Sequence, residues 1–298
     1  MADVPNHYKS RGITHWSPSK LNTPFWLVLA EYAYRLPRFF EARRDQRAGD
    51  PEADLRVQHY TKIGSFKMNA GGTVGEKAMQ VVNGALTENE AVADAISTLQ
   101  AYKPANKIDH ALTDHLLSSD AEAVSKTLEN AVSGLREIFS GANQVNTEEK
   151  VLIELPGVDV PSLGYCDGRG GGVIVELKTR WDKANNKSKS GYSNNSVPAA
   201  PIDRDVLQIA HYQRQFGGKA KLLYANRINH RIFEVPQADL NEALAKAAAE
   251  ARRRQRMLER TDTVESIMTL CEPEWFHFML SNYSPEFILE LKQAFYGA

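Results

Sequence analysis

The sequence predicts an α/β protein, a single domain in which a short set of strands is flanked by helical additions. Three observations predict it. Short apolar runs near 149–155, 162–169 and 173–180 are rich in Val, Ile and Leu and punctuated by glycine, as strands are. A helical pattern near 204–216 separates them from two more strand-like runs, at Lys219–Ala225 and Arg231–Val235. Long helical stretches lie on either side, in 1–148 and 237–298.

In chain order, helices are expected at about 18–36, 72–86, 88–102 and 120–140. Ser17 is a good N-cap and Pro18 a good first helical residue. Residues 181–204 are rich in Asn, Ser, Lys and Pro without a hydrophobic period, so a mobile loop is expected. The 204–216 helix offers Val206, Ile209, Ala210 and Phe216 as an apolar stripe for docking on a sheet. A long helix from about Gln237 to Arg260 follows, then two near 263–281 and 285–296, the last punctuated by Ser284-Pro285 and Gly297. No internal repeat is found. The expected organisation over 1–298 is a mainly helical part (1–148), an α/β core with its loop (149–236), and C-terminal helices (237–298).

Hydrophobic residues make up 42% and charged residues 24% of the chain, the profile of a soluble globular protein. No apolar run approaches the length of a membrane span, and MADVPNHYKS lacks an apolar signal core. The chain is therefore expected to stay in the compartment where it is made. Cys166 and Cys271 are its only cysteines, too few for a four-cysteine iron–sulfur cluster or a disulfide framework. Net charge is −1, which advertises no nucleic-acid partner, yet basic residues concentrate in 178–189 and 251–260. There is no P-loop, dinucleotide fingerprint or nucleophile elbow, which argues against a small-molecule enzyme of those kinds.

The densest signal is SLGYCDGRGGGVIVELKTRW, residues 162–181. If Gly171-Gly172 forms a two-residue hairpin turn, Gly170 pairs with Val173, Arg169 with Ile174, Gly168 with Val175 and Asp167 with Glu176. Lys178 then shares the Glu176 face. Two opposed carboxylates repel each other, and a divalent cation between them reverses the sign. Hard oxygen ligands suit Mg²⁺ or Mn²⁺. Such a centre can activate water and stabilise charge on a phosphate, with a lysine to steer the water. The plainer reading is a solvated strand face. The near-continuous apolar run of Val173, Ile174, Val175 and Leu177 argues instead for a buried strand, where charges need partners.

These residues resemble the PD-(D/E)XK nuclease superfamily, in its RecB-like and lambda-type phage exonuclease branch, and are similar also to mitochondrial genome maintenance exonuclease. The pattern is an Asp ending one strand and Glu-x-Lys on the next; Cys166 stands where Pro is usual. Three more segments follow the order of that branch. Ser17-Pro18-Ser19-Lys20-Leu21 looks like its SPSxL opening, with Ser17, Ser19 and Lys20 as candidate phosphate contacts. Gly71-Gly72-Thr73-Val74-Gly75-Glu76 looks like the glycine-led helix that brings a carboxylate to the metal. Gln208 and Tyr212 resemble the QxxxY motif; His211 beside them reads as an ordinary helix residue.

The resemblance implies a mixed sheet flanked by helices, a restriction-endonuclease-like core. It implies metal ligation by Glu76, Asp167, Glu176 and the Leu177 carbonyl, water activation by Lys178, and positioning by Gln208 and Tyr212. It also implies Mg²⁺ or Mn²⁺ and cutting of nucleic acid, while the two cysteines leave no iron–sulfur cluster. The leading expectation is DNA with free ends as substrate, and the local basic residues Arg180, Lys183, Lys187 and Lys189 are its candidate contacts. No membrane partner is expected. The implied setting is recombination, repair or replication in the cytoplasm of a bacterial or phage-infected cell, alongside a recombination or replication protein. The alternatives are an endonuclease using the same residues and a non-catalytic nucleic-acid-binding protein on the same fold.

Overall fold

The sheet is organised by the Gly171–Gly172 turn, whose residues both take positive φ (56° and 75°), as a two-residue turn compatible with strand twist requires. The computed structural model describes residues 4–62, 66–102, 109–185, 187–189, 191–193, 195–261, 263, 266, 267, 270, 271, 273, 280 and 282–296. The turn joins β2 (Ser162–Gly170) to β3 (Val173–Thr179). The other strands are β1 (Asn146–Ile153), β4 (Lys183–Ala184), β5 (Tyr192–Ser193), β6 (Lys219–Ala225) and β7 (His230–Glu234). The main sheet has the order β1-β2-β3-β6-β7. The β2–β3 and β6–β7 pairs are antiparallel and β3–β6 is parallel, so the sheet is mixed.

The helices in chain order are α1 (Asn6–Lys9), α2 (Pro18–Leu21), α3 (Phe25–Leu29), α4 (Leu36–Arg47), α5 (Ala53–Tyr60), α6 (Phe66–Val82), α7 (Glu88–Ala101), α8 (Asp109–Ser118) and α9 (Ala121–Ile138). After the β3 strand come α10 (Asp203–Phe216), α11 (Gln237–Arg260) and α12 (Pro285–Tyr296). The chain divides into two compact units: residues 1–63, 154–163 and 245–298 form the first, and 64–153 with 164–244 the second. The helical N-terminal half is thus shared between them.

In the second unit, α6, α7 and α9 cover one face of the sheet. Their Ala70, Val74, Met79, Ala91, Leu128 and Leu135 bury against Val175, Leu177 and Leu223. Local chemistry fixes the helix starts: Thr87 and Glu90 make a capping box for α7, and Asp120 caps α9. The other side of β3 and β6 meets α10, which is the crossover that a parallel pair requires. Parallel pairing begins where Gly218, at φ 85°, brings the chain against Gly172, and Lys219 N–H donates to the Gly172 carbonyl at 2.9 Å.

The first unit gathers α1–α5 and α12 with the end of α11. Arg254 is buried there and donates to the carbonyls of Lys20, Leu21 and Thr23.

Several sequence expectations are corrected. The helix expected over 18–36 breaks at 22–24, where Pro24 opens a new helix, and residues Ala30–Arg35 are π-helical. The wide turn precedes Pro37, whose missing N–H cannot close the α ladder. The helix expected at 72–86 begins at Phe66, so its glycines lie in the helix interior. Residues 183–193 contain a two-stranded ribbon within the expected loop, Lys183 pairing with Ser193. Helices α5 and α8 were not anticipated, nor was the extent of α4 beyond residue 36. The helix expected near 263–281 falls largely outside the described residues. Among the described residues, no helix is long and apolar enough to cross a membrane.

Candidate active site

Strand alternation divides β3 into two faces. Val175 and Leu177 enter the apolar core. Glu176 and Lys178 point the other way, toward α10, where Lys178 Nζ donates to Gln208 Oε1 at 2.9 Å. Gln208 Nε2 in turn donates to the Tyr212 hydroxyl at 2.8 Å. Gln208 and Tyr212 can act together because they lie one helical turn apart. Lys178 also pairs with the buried Glu176. A single chain of contacts therefore runs Glu176–Lys178–Gln208–Tyr212.

Asp167 enters from β2. The hairpin register is Gly168–Val175, Arg169–Ile174 and Gly170–Val173. The ladder stops one pair short of Asp167–Glu176. Instead, Asp167 Oδ2 accepts the Leu177 N–H at 2.8 Å. Glycine contacts show why the strands part. A Cβ on Gly164 would lie 3.0 Å from the Tyr212 ring, on the α10 side, whereas one on Gly168 would lie 2.3 Å from Met79, on the α6 side. Residues four apart on a regular strand share a face. The strand therefore changes face between them, as at a bulge, and this irregularity aims Asp167.

Burial, then the Asp167 carboxylate, push the Glu176 carboxyl up to about 8 against the pull of Lys178. Burial also raises Asp167, while Lys178, the Leu177 N–H and a hydrogen bond with the Glu176 carboxyl draw it down. For Lys178, burial opposes the charge but the two carboxylates outweigh it and raise its pKa.

Glu176 Oε2 is buried and accepts from no N–H or hydroxyl group, and the Asp167 carboxyl lies within hydrogen-bonding reach of Glu176. An anionic oxygen in that state is costly, and a second carboxylate beside it adds to the cost. A hard divalent cation would remove both costs, so the Asp167–Glu176 pair fits Mg²⁺ or Mn²⁺.

Other predicted residues are placed elsewhere. Glu76 is 47% exposed and engages Lys77 and Gln80. Its helix packs on the Leu177 and Thr179 face, since Cβ atoms on Gly75 and Gly71 would meet those side chains at 3.7 and 3.0 Å. Among the described residues, no group of three potential ligands within 4.8 Å of one another includes Glu76, Asp167 and Glu176. In the first unit, Ser17 caps α2 by accepting from Lys20 N–H and contacts Ser19. The Lys20 side chain is buried, over the Tyr32 ring at 4.1 Å and against the His15 carbonyl. It has a packing role there. Arg180 is half-buried, while Lys183, Lys187 and Lys189 are exposed.

Two residues escaped the sequence reading. Asp205 is buried at the start of α10, accepts from the Tyr224 hydroxyl at 2.8 Å, and adds negative charge near Glu176 and Lys178. Gly164 makes room for Tyr212. Asp205 precedes Gln208 by three residues, which was the available signal; Gly164 gave none.

No protein-family model matches the chain, and no curated protein does. Several solved structures are similar to it, two of them as follows. One is a protein of Eubacterium rectale whose assignment as an exonuclease is itself provisional; it is 14% identical, with 86% of this chain and 85% of its own covered, at a TM-score of 0.42. The other is SSO0001, 16% identical, with 65% of this chain and 94% of its own covered, at a TM-score of 0.30. Likenesses at this level establish neither family nor activity.

Proposed function

We propose that the chain is a Mg²⁺- or Mn²⁺-dependent deoxyribonuclease that hydrolyses phosphodiester bonds from DNA ends. The observation that carries the reading is the contact of two buried carboxyls, Asp167 and Glu176, beside Lys178, with Glu176 Oε2 accepting from no N–H or hydroxyl group. Asp167, Glu176 and the Leu177 carbonyl would hold the ion. When bound, it supplies charge stabilisation at the phosphate and lowers the pKa of water. Lys178 holds positive charge where negative charge develops and orients the attacking water. Gln208 fixes the lysine, and Tyr212 fixes Gln208, so the ammonium is positioned before substrate arrives. Asp205 biases the same lysine toward its charged form. Glu76 would join the ion only through a change in side-chain or helix position.

A role in phage or bacterial recombination, repair or replication rests on the resemblance to the exonuclease branch; the superfamily motifs alone do not choose ends over internal sites. The test is digestion of end-labelled single- and double-stranded DNA, linear and covalently closed, with Mg²⁺ or Mn²⁺. Loss of linear DNA with intact circles is expected. Cut circles would make the chain an endonuclease, and binding without cleavage would make it a non-catalytic DNA-binding protein.

A further inference from the structure

The first unit contains a second group of potential ligands that the nuclease reading does not use. His7 on α1, Asp159 in the segment before β2, and Glu259 at the end of α11 bring their ligand atoms within 4.8 Å of one another. His7 Nε2 lies 3.8 Å from Asp159 Oδ2 and 4.0 Å from Glu259 Oε1. Both separations are too long for a hydrogen bond. Yet His7 Nε2 is itself buried and has no hydrogen-bond partner. A buried polar atom aimed between two carboxylates requires something to bind.

The spacing suits an ion. Ligand atoms about 2.1 Å from a tetrahedral centre stand roughly 3.4 Å apart, so the two exposed carboxylates close the site by drawing in on His7 and on each other from separations within 4.8 Å. Gln255 ties the ligand segments together. Its Oε1 accepts from the Tyr8 hydroxyl and the Asp159 N–H, both at 2.9 Å, and its Nε2 donates to Glu259 Oε1 at 3.0 Å. Hydrogen bonds of this kind orient metal ligands.

We propose that His7, Asp159 and Glu259 form a binding site for a borderline divalent cation of the Zn²⁺ class, separate from the Asp167–Glu176 centre. One imidazole with two carboxylates favours such an ion over Mg²⁺, which takes oxygen ligands almost alone. The site joins three segments far apart in sequence, so its role is to clasp the first unit. Nothing in it depends on the nuclease reading.

The test uses the full chain carrying Glu176→Gln, stripped with chelator and titrated with ZnCl₂ by calorimetry. Saturable uptake of about one equivalent is expected, with a rise in thermal midpoint. Adding His7→Gln should abolish both effects, and Gln255→Leu should weaken binding about 10–100-fold. Glu259→Gln, on an exposed helix end, serves if His7→Gln does not fold. Failure of the Glu176→Gln chain to bind Zn²⁺, or equal binding after loss of His7 or Glu259, would overturn the proposal.

Discussion

Lys178 meets two demands at once. It draws down a carboxyl that burial and Asp167 push up, and it presents a fixed charge to the site. Lys178→Ala should leave the fold intact and lower turnover by a factor of about 10²–10³, the usual effect of losing one preorganised charge. Single-turnover cleavage at the original rate would remove Lys178 from the mechanism. Tyr212→Phe removes the acceptor of the Gln208 amide within a buried contact chain. It should destabilise the protein by about 1–3 kcal/mol, read from the midpoint of urea unfolding. His211 gives a pH signature. Burial lowers its pKa to about 4, although donation to the Leu207 carbonyl pulls the other way. The folded value lies below the unfolded value of about 6.5. The unfolded chain therefore takes up the proton first, and the stability gained by keeping His211 neutral is complete above about pH 6.5. It is lost as the pH falls toward about 4, by roughly 3 kcal/mol. His211→Leu should flatten unfolding free energy across that window; an unchanged slope would mean that other groups set the acid sensitivity.

At the scale of elements, two glycines in similar sequence surroundings play opposite parts. Gly218 has positive φ, and a Cβ there would lie 2.4 Å from the Gly172 carbonyl oxygen, a backbone atom that cannot step aside. Gly218→Ala should cost more than about 1 kcal/mol and loosen the start of the β3–β6 pairing. Gly72, inside α6, has open space around its Cβ direction. Gly72→Ala should stabilise by about 0.5–1 kcal/mol. Denaturant unfolding of both variants checks the pair, and a stabilising Gly218→Ala would refute the close approach. The same elements show what could be read beforehand. The turn, the register through Gly168–Val175 and the Glu176–Lys178 face were legible because the strand period and a Gly-Gly turn are local rules. The change of face between Gly164 and Gly168 was not, since it depends on Tyr212 and Met79, which pack from distant helices. The start of α6 was misplaced for a related reason. Gly71-Gly72 looks like a boundary, whereas Gly71 serves close packing against Thr179. The burial of Lys20 over Tyr32 was not legible either, because that contact is tertiary.

For the whole molecule, a net charge of −1 gives no general attraction for a polyanion. Any DNA affinity must come from local groups. Much of the arginine run in 251–260 is already committed: Arg252 donates to the Pro156 carbonyl, Arg253 pairs with Glu250, and Arg254 is buried under three carbonyls. Lys183, Lys187 and Lys189 differ, being exposed on the ribbon segment that follows β3 in the same unit as Asp167 and Glu176. Each phosphate contact releases counterions, worth about 0.9 in the slope of log K against log salt for duplex DNA and about 0.7 for single strands. Replacing all three lysines by alanine should reduce that slope by up to about 2.7 or 2.1 respectively, with little change in unfolding midpoint. Fluorescence anisotropy over a salt series, in Ca²⁺ to prevent cleavage, measures it. A full reduction on one form of DNA and a small one on the other would identify the form that the ribbon contacts. An unchanged slope on both would show that these lysines only solubilise the surface, and that the DNA path lies elsewhere.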